Sequence, residues 1–397
     1  MPEQKKLRTL PLNSPIYLDY AATTPVAPEV AACMMQHLTA DGIFANPSSI
    51  QHCFGEQAEM VVENARSTIA NYLHCKAKEL IFTSGATESN NLAIKGIAYS
   101  RRDQGNHIIT VATEHKATLD TCKQLEKEGF SVTYLKPDIN GLISIEQLNH
   151  AITEATLLVS IMQVNNETGV IQDIAAIAKL TNEKSILLHV DAAQSAGKIA
   201  IDLSQLPIDL LSLSAHKFYG PKGIGCLFIR NRARMHLQPL IHGGGQEYSL
   251  RPGTLATHQI VGMAKAFELA HERLNDDAQH ITSLRHAFLK QLENLGGITI
   301  NGSSKSYLPN IINISFENVS SDSLIIALRD KVALSSSSAC NSGAVEASYV
   351  LRAMGIEGER LYSAVRFSFG RYTTEQEIKQ AGEIICTEVR RLRVLAA

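Results

Sequence analysis

Residues 79 to 230 constrain the fold more than any other part of the chain. Short β-branched and apolar runs alternate there with helical patterns: ELIFTSG, ATESNNLAIKGIAYS, HIITVAT, KATLDTCKQLEKEG, SVTYL, ISIEQLNHAIT, LLVSIMQV, IQDIAAIAKLTNEK and ILLHVDAA. Such alternation predicts an α/β protein with a mostly parallel sheet and helices on both faces. Ligands in that architecture lie at the carboxyl ends of the strands.

The chain has 397 residues, more than the roughly 250 to 300 at which a single core stops growing. A large unit plus a smaller one is therefore expected. The texture changes after residue 259, where QIVGMAKAFELAHERLNDDAQHITSLRHAFLKQLENLG reads as one long helical stretch with no strand before NIINISF at 310 to 316. The expected division is a large domain at 16–260 and a small α+β domain built from 1–15 and 261–397. Within the latter, VALSSSSACNSGAVEASYV surrounds Cys340 with small and hydroxyl residues that favour a loop.

Lys plus Arg total 37 against 39 Asp plus Glu, so no strong field exists to gather phosphate backbones and direct nucleic-acid binding is not expected. No apolar run approaches the roughly 20 residues that span a bilayer, and MPEQKKLRTLPLNSP has no apolar segment behind its cations. No membrane association is expected. The cysteines at 33, 53, 75, 122, 226, 340 and 386 are odd in number and scattered, without a C-x-x-C pair. They fit a reducing cytoplasm, and six of them sit among apolar or helical neighbours.

Five features carry chemistry. Lys217, in SLSAHKFYGPKGIG, follows the short strand IDLLSLS and precedes a Gly- and Pro-rich turn, a position that projects an amine toward the ligand crevice. Asp191 ends the apolar strand ILLHVDAA, and a buried carboxylate needs a partner. In FTSGATESNN a strand runs through Gly85 directly into a helix, where exposed N–H groups and the hydroxyl of Thr87 form an anion cradle. His115 stands just past a strand end, and Arg366, in VRFSFGR, is suited to bidentate capture of a carboxylate. Taken singly, each has a plainer reading: a solvated lysine, a backbone-bonded acid, an ordinary strand-to-helix turn, a histidine helix cap, a surface salt bridge. Together, an amine and a buried acid meet two needs of pyridoxal phosphate, a group to hold the aldehyde and an anion to keep the pyridine nitrogen protonated.

The ordered set YLDYAATTP, SGATESNN, TEHKA, VNNETG, HVDAAQSAGK, SAHKFYGPKG, RPGTLATHQIVG and SSSSACNSG closely resembles the cysteine desulfurases of the aminotransferase class V family, from about residue 16 to 393. The resemblance implies pyridoxal 5'-phosphate fold type I and conversion of L-cysteine to L-alanine, with sulfur transferred to a persulfide on Cys340. It implies that Ala86, Thr87, Ser214 and His216 hold the phosphate, that Asp191 pairs with the pyridine nitrogen and Gln194 with the ring oxygen, and that His115 stacks on the ring. Lys217 would carry the cofactor and move the α-proton. Asn166 and Arg366 would hold the substrate carboxylate, and Thr254 would reach the cofactor phosphate of a neighbouring subunit, which requires a homodimer.

The serine-rich loop resembles the group whose cysteine rides a long mobile loop and delivers sulfur to an acceptor such as an iron-sulfur cluster scaffold, with tRNA thiolation as a further outlet. No metal site is implied beyond transient ligation of a cluster by Cys340. Ser337 stands where such relatives commonly have glycine, and Tyr248 and Ser249 stand where they have arginine with a small neighbour. The chain stops at RRLRVLAA, short of the tail that helps housekeeping bacterial forms dock a scaffold, so weaker docking is expected. A selenocysteine lyase, a kynureninase-like hydrolase and a small-molecule aminotransferase share the fold class; the last two need no thiol such as Cys340. A non-catalytic relative that kept only the fold would be expected to lose Lys217 or Cys340.

Overall fold

The computed structural model describes residues 15–336 and 347–396. Cys340 and Ser337 lie outside the described residues, as do positions 1–14 of the expected small domain.

Seven strands form the large sheet, in the order β2-β8-β7-β6-β5-β3-β4. They are β2 (Leu80–Thr83), β3 (His107–Val111), β4 (Ser131–Leu135), β5 (Thr156–Met162), β6 (Leu187–Asp191), β7 (Leu210–Ser214) and β8 (Gly225–Ile229). From β7 to β4 every pairing is parallel; β8 alone runs against its neighbours β7 and β2. Successive residues serve opposite faces. Leu80 and Phe82 enter one core while Ile81 enters another, and Leu211 and Leu213 pack opposite to Leu210. Burial on both faces is why these strands read as continuous apolar runs rather than alternating ones.

Helices α1 (Pro28–Met35), α2 (Cys53–Tyr72), α3 (Ala86–Ser100), α4 (Lys116–Lys127), α5 (Ile145–Ala151), α6 (Ile174–Glu183), α7 (Asn231–Arg234) and α8 (Thr257–Glu272) accompany this sheet. On one face, α2 and α8 contribute Val62, Ile69, Met263 and Phe267 to the core. On the other, α3 and α4 contribute Leu92, Ile97, Cys122 and Leu125. The expected α/β architecture is present.

The smaller unit holds an antiparallel sheet in the order β12-β13-β10-β9, formed by β9 (Ile298–Asn301), β10 (Ile311–Phe316), β12 (Ser335–Ser336) and β13 (Ala364–Ser368). Helices α9 (Leu274–Leu292), α10 (Ser321–Leu328) and α13 (Glu375–Ala396) cover it, and the short α11 (Tyr349–Ala353) and α12 (Glu359–Tyr362) lie in its connections. Separately, β1 (Ile16–Tyr17) pairs in parallel with β11 (Val332–Ala333).

The structure differs from two expectations, and we propose a different domain division. The long helical stretch is two helices, broken at Arg273 (φ −101°, ψ 8°). The break lets α8 bury Ile260, Met263 and Phe267 in the large core while α9 buries Leu284, Phe288 and Leu292 in the small one. A division at 260 would strip α8 from its own core, so we place the boundary at Arg273. We likewise assign residues 16–18 to the small unit, because β1 pairs with β11 and Leu18 packs beside Phe367 and Phe369. Finally, part of the serine-rich stretch is strand rather than loop: Ser335 and Ser336 pair with Arg366 and Val365.

Candidate active site

Ala86, Thr87, His115, Asn166, Asp191, Gln194, Ser214, His216, Lys217 and Arg366 line one cavity of about 680 Å³. All but Arg366 stand at or just beyond the carboxyl ends of the large-sheet strands, as parallel topology requires. Thr254 does not join them; it lies exposed in the segment before α8.

Lys217 closes the short 3-10 turn that follows β7. Its Nζ donates to the carbonyl oxygens of Ala21 at 2.6 Å and Ala22 at 2.8 Å. Burial, and then the Arg366 guanidinium, push its ammonium down to about 8, against opposing pulls from Asp19 and Asp191. An amine of this kind is available as nucleophile or base near neutral pH.

Asp191 ends β6 and is buried. Its Oδ2 accepts from Asn90 Nδ2 at 2.7 Å, and its Oδ1 accepts from the Ala193 N–H at 2.9 Å. A buried carboxylate with two neutral donors and, among the described residues, no bonded cation retains acceptor capacity for a protonated ring nitrogen.

The expected anion cradle lies at the start of α3. Gly85 occupies the N-cap at φ 150°, and no side chain caps this turn. Beneath it, a Cβ on Gly225 of β8 would fall 2.6 Å from the Gly85 Cα; glycine at 225 is what allows the helix start to approach the strand. His216 shares a hydrogen bond with Thr23 Oγ1 at 3.1 Å. Burial and then neighbouring Lys217 push its imidazole down to about 4, so it is neutral at pH 7 and able to donate. Glu88, also at the rim, is engaged by the Ser84 N–H at 2.6 Å and by Arg251 Nε at 2.8 Å.

His115 combines two readings that the sequence left as alternatives. Its Nδ1 accepts from the Ala117 N–H at 3.1 Å and caps α4, and the residue also lines the cavity. Burial lowers its pKa, and with Nδ1 accepting, the neutral ring carries its proton on Nε2.

Arg366, on β13, is 8% exposed. Its Nη1 donates to the Asn166 carbonyl at 2.9 Å and its Nη2 to Asp19 Oδ1 at 2.8 Å. Among the described residues, Arg366 Nε, Asn166 Oδ1 and Gln194 Oε1 are buried without a hydrogen-bond partner. Three orphan polar atoms on residues lining one cavity mark a place built for a polar ligand.

Several residues were not singled out from the sequence. Asp19 and Asn90 lay inside quoted motifs, but nothing local reveals a bond from Asn90 to Asp191 or from Asp19 to Arg366. His189, two positions before Asp191, lay within an apolar run; it is buried between the hydroxyls of Ser160 at 2.8 Å and Ser212 at 2.9 Å and pushed down to about 4 by burial. Glu114 is fully buried, accepts from the Met162 N–H at 2.8 Å, and is pushed well above the carboxylate range by burial. Ser348 donates to Glu167 Oε2 at 2.6 Å, and the Tyr349 hydroxyl donates to the Glu114 carbonyl at 2.8 Å. The neighbours of Asn166 and His115 thus hold the first turn of α11.

The aminotransferase class-V family model matches residues 16–381. A cysteine desulfurase IscS of Vibrio cholerae is 54% identical over 385 residues, spanning 97% of this chain and 95% of that protein. Another, from Buchnera aphidicola, is 52% identical over the same shares. The chain belongs to the cysteine desulfurases of the aminotransferase class-V family. Among solved structures, a NifS-like protein superposes on this desulfurase with a TM-score of 0.86 at 37% identity, covering 96% of this chain and 98% of its own. SspA in complex with cysteine gives 0.80 at 40% identity, covering 90% and 99%.

Proposed function

We propose that this cysteine desulfurase works with pyridoxal 5'-phosphate held on Lys217 and passes the sulfur of L-cysteine to Cys340. The observation that carries the reading is the pairing, in one cavity, of an amine depressed to about 8 with a buried carboxylate held by Asn90. The uncapped start of α3 with Ser214 and neutral His216 fits a phosphate, and the orphan Gln194 Oε1 and Asn166 Oδ1 fit a polar ring and a substrate. When bound, the cofactor supplies an electron sink for charge developing on the substrate α-carbon.

The chain's own groups supply the rest. Lys217 Nζ takes the α-proton and returns one. With the cofactor bound, Asp191 would hold the ring nitrogen's proton, His115 would stack on the ring, and Arg366 with Asn166 would orient the substrate carboxylate. The Cys340 thiolate attacks the substrate sulfur: an S–S bond forms, the C–S bond breaks, and its electron pair passes to Cβ, which takes a proton to give alanine. Five of the other thiols are poorly suited. Burial pushes Cys33 and Cys386 up, Cys75 and Cys122 to about 12, and Cys226 further still. A structural relative, SspA, is known in complex with cysteine, which supports the substrate.

We also infer a homodimer. Thr254 stands exposed outside the cavity, and Met35, Leu38, Phe44, Ile50, Phe54 and Met60 are large apolar side chains open to solvent along residues 35–60. A second copy would cover such side chains and bring its Thr254 to the phosphate. The persulfide then serves a sulfur-acceptor protein such as an iron-sulfur cluster scaffold. Among the described residues, no helix is long and apolar enough to cross a membrane.

The test is a timed incubation of the purified holoenzyme with L-cysteine, measuring alanine and transferred sulfur together. Equal amounts of the two are expected. Sulfide released with pyruvate instead of alanine would overturn the reaction.

A further inference from the structure

Arg366 is nearly buried, and a buried guanidinium needs an anion. Asp19 supplies it, at 2.8 Å from Nη2. The acid is fixed from two sides: its backbone bridges to Ser368, two positions along β13 from Arg366, and its carbonyl accepts from the Tyr17 hydroxyl at 3.1 Å. Nη1 is engaged by the Asn166 carbonyl, while Nε has no partner among the described residues. Arg366 lines the cavity and Asp19 does not. The guanidinium therefore bridges a resident carboxylate and the place where a substrate carboxylate arrives.

An incoming amino acid thus meets an arginine whose charge is already balanced. With both carboxylates on one guanidinium, two anions stand a few ångströms apart in a partly desolvated site, where their repulsion is substantial. L-cysteine and L-alanine carry the same α-carboxylate, so whatever strengthens the grip on substrate strengthens it on product as well. Uniformly tighter binding does not speed the chemical step, and it delays departure of the product.

We propose that Asp19 sets the strength with which Arg366 holds α-carboxylates, its fixed charge weakening the grip so that alanine leaves readily. This rests on the reading that Arg366 receives the α-carboxylate. Asp19→Asn preserves shape and an acceptor oxygen while cancelling the charge, and so separates electrostatics from positioning. Holoenzyme of wild type and Asp19→Asn should be titrated calorimetrically with L-alanine and with ethylamine, which is alanine without its carboxylate.

The expected result is alanine binding about tenfold tighter in Asp19→Asn, with ethylamine unchanged. Equal or weaker alanine binding would overturn the proposal, as would equal tightening of ethylamine, since the effect would then not run through the carboxylate. Arg366→Gln tests the underlying reading separately. It should lose alanine affinity but keep that for ethylamine, and full retention of alanine binding there would show that Arg366 is not the carboxylate receptor, whatever Asp19 does.

Discussion

Asn90 Nδ2 lies 2.7 Å from Asp191 Oδ2, so the helix whose first turn would cradle the phosphate also holds the buried acid at the end of β6. One rigid helix thereby sets the distance between the phosphate end and the ring-nitrogen end of the proposed cofactor. Asp191→Ala should keep the cofactor covalently trappable on Lys217 by borohydride yet lower kcat by about a hundredfold or more, the scale of a lost proton-transfer contribution. Asn90→Ala, which removes one donor to a charged group, should cost about tenfold. Near-normal turnover in Asp191→Ala would show that the acid does not tune the ring.

The depressed ammonium of Lys217 gives a second expectation. In cofactor-free protein, labelling of Lys217 by acetic anhydride, followed by peptide mass spectrometry, should rise with pH to half its plateau near 8, where half the amine is neutral, and level off about one unit higher. An ordinary surface lysine should keep rising toward pH 10. A Lys217 profile matching the surface lysines would mean that burial and Arg366 do not act on it as described.

Glu167 ties stability to pH. Burial raises its carboxyl to about 7, against the opposing hydrogen bond from Ser348 and the charge of Arg366, while the unfolded chain titrates near 4.3. The folded protein therefore binds this proton more tightly, and the associated stability is complete below about pH 4 and lost as pH rises through 7. Between pH 5 and 8 the wild-type Tm should fall more than that of Glu167→Gln, whose side chain stays neutral. Parallel Tm profiles would contradict the assignment.

Much of the site was legible because a parallel sheet gathers strand ends: Asp191, Lys217 and His115 each stood at or just past a strand, and the topology brings such positions together. Contacts across the chain were not legible. Asp19 and Arg366 are separated by 347 positions, and their pairing depends on β13 lying beside the strand-like segment at Asp19. The break at Arg273 carries neither glycine nor proline; it exists because α8 and α9 serve different cores. His189 was hidden because hydroxyls on the neighbouring strands β5 and β7 satisfy both its ring nitrogens.

The most direct test concerns where the sulfur goes. Holoenzyme given one equivalent of L-cysteine without reductant should be digested and its cysteine peptides weighed, beside a Cys340→Ser variant treated in the same way. A gain of about 32 Da, one sulfur atom, is expected on the peptide containing Cys340 and on no other. The serine variant should still bind L-cysteine but form essentially no alanine, because a hydroxyl is a far weaker nucleophile than a thiolate. Sulfur found instead on Cys33, Cys53, Cys75, Cys122, Cys226 or Cys386, or alanine produced by Cys340→Ser at the wild-type rate, would contradict the assignment of Cys340 as the sulfur acceptor.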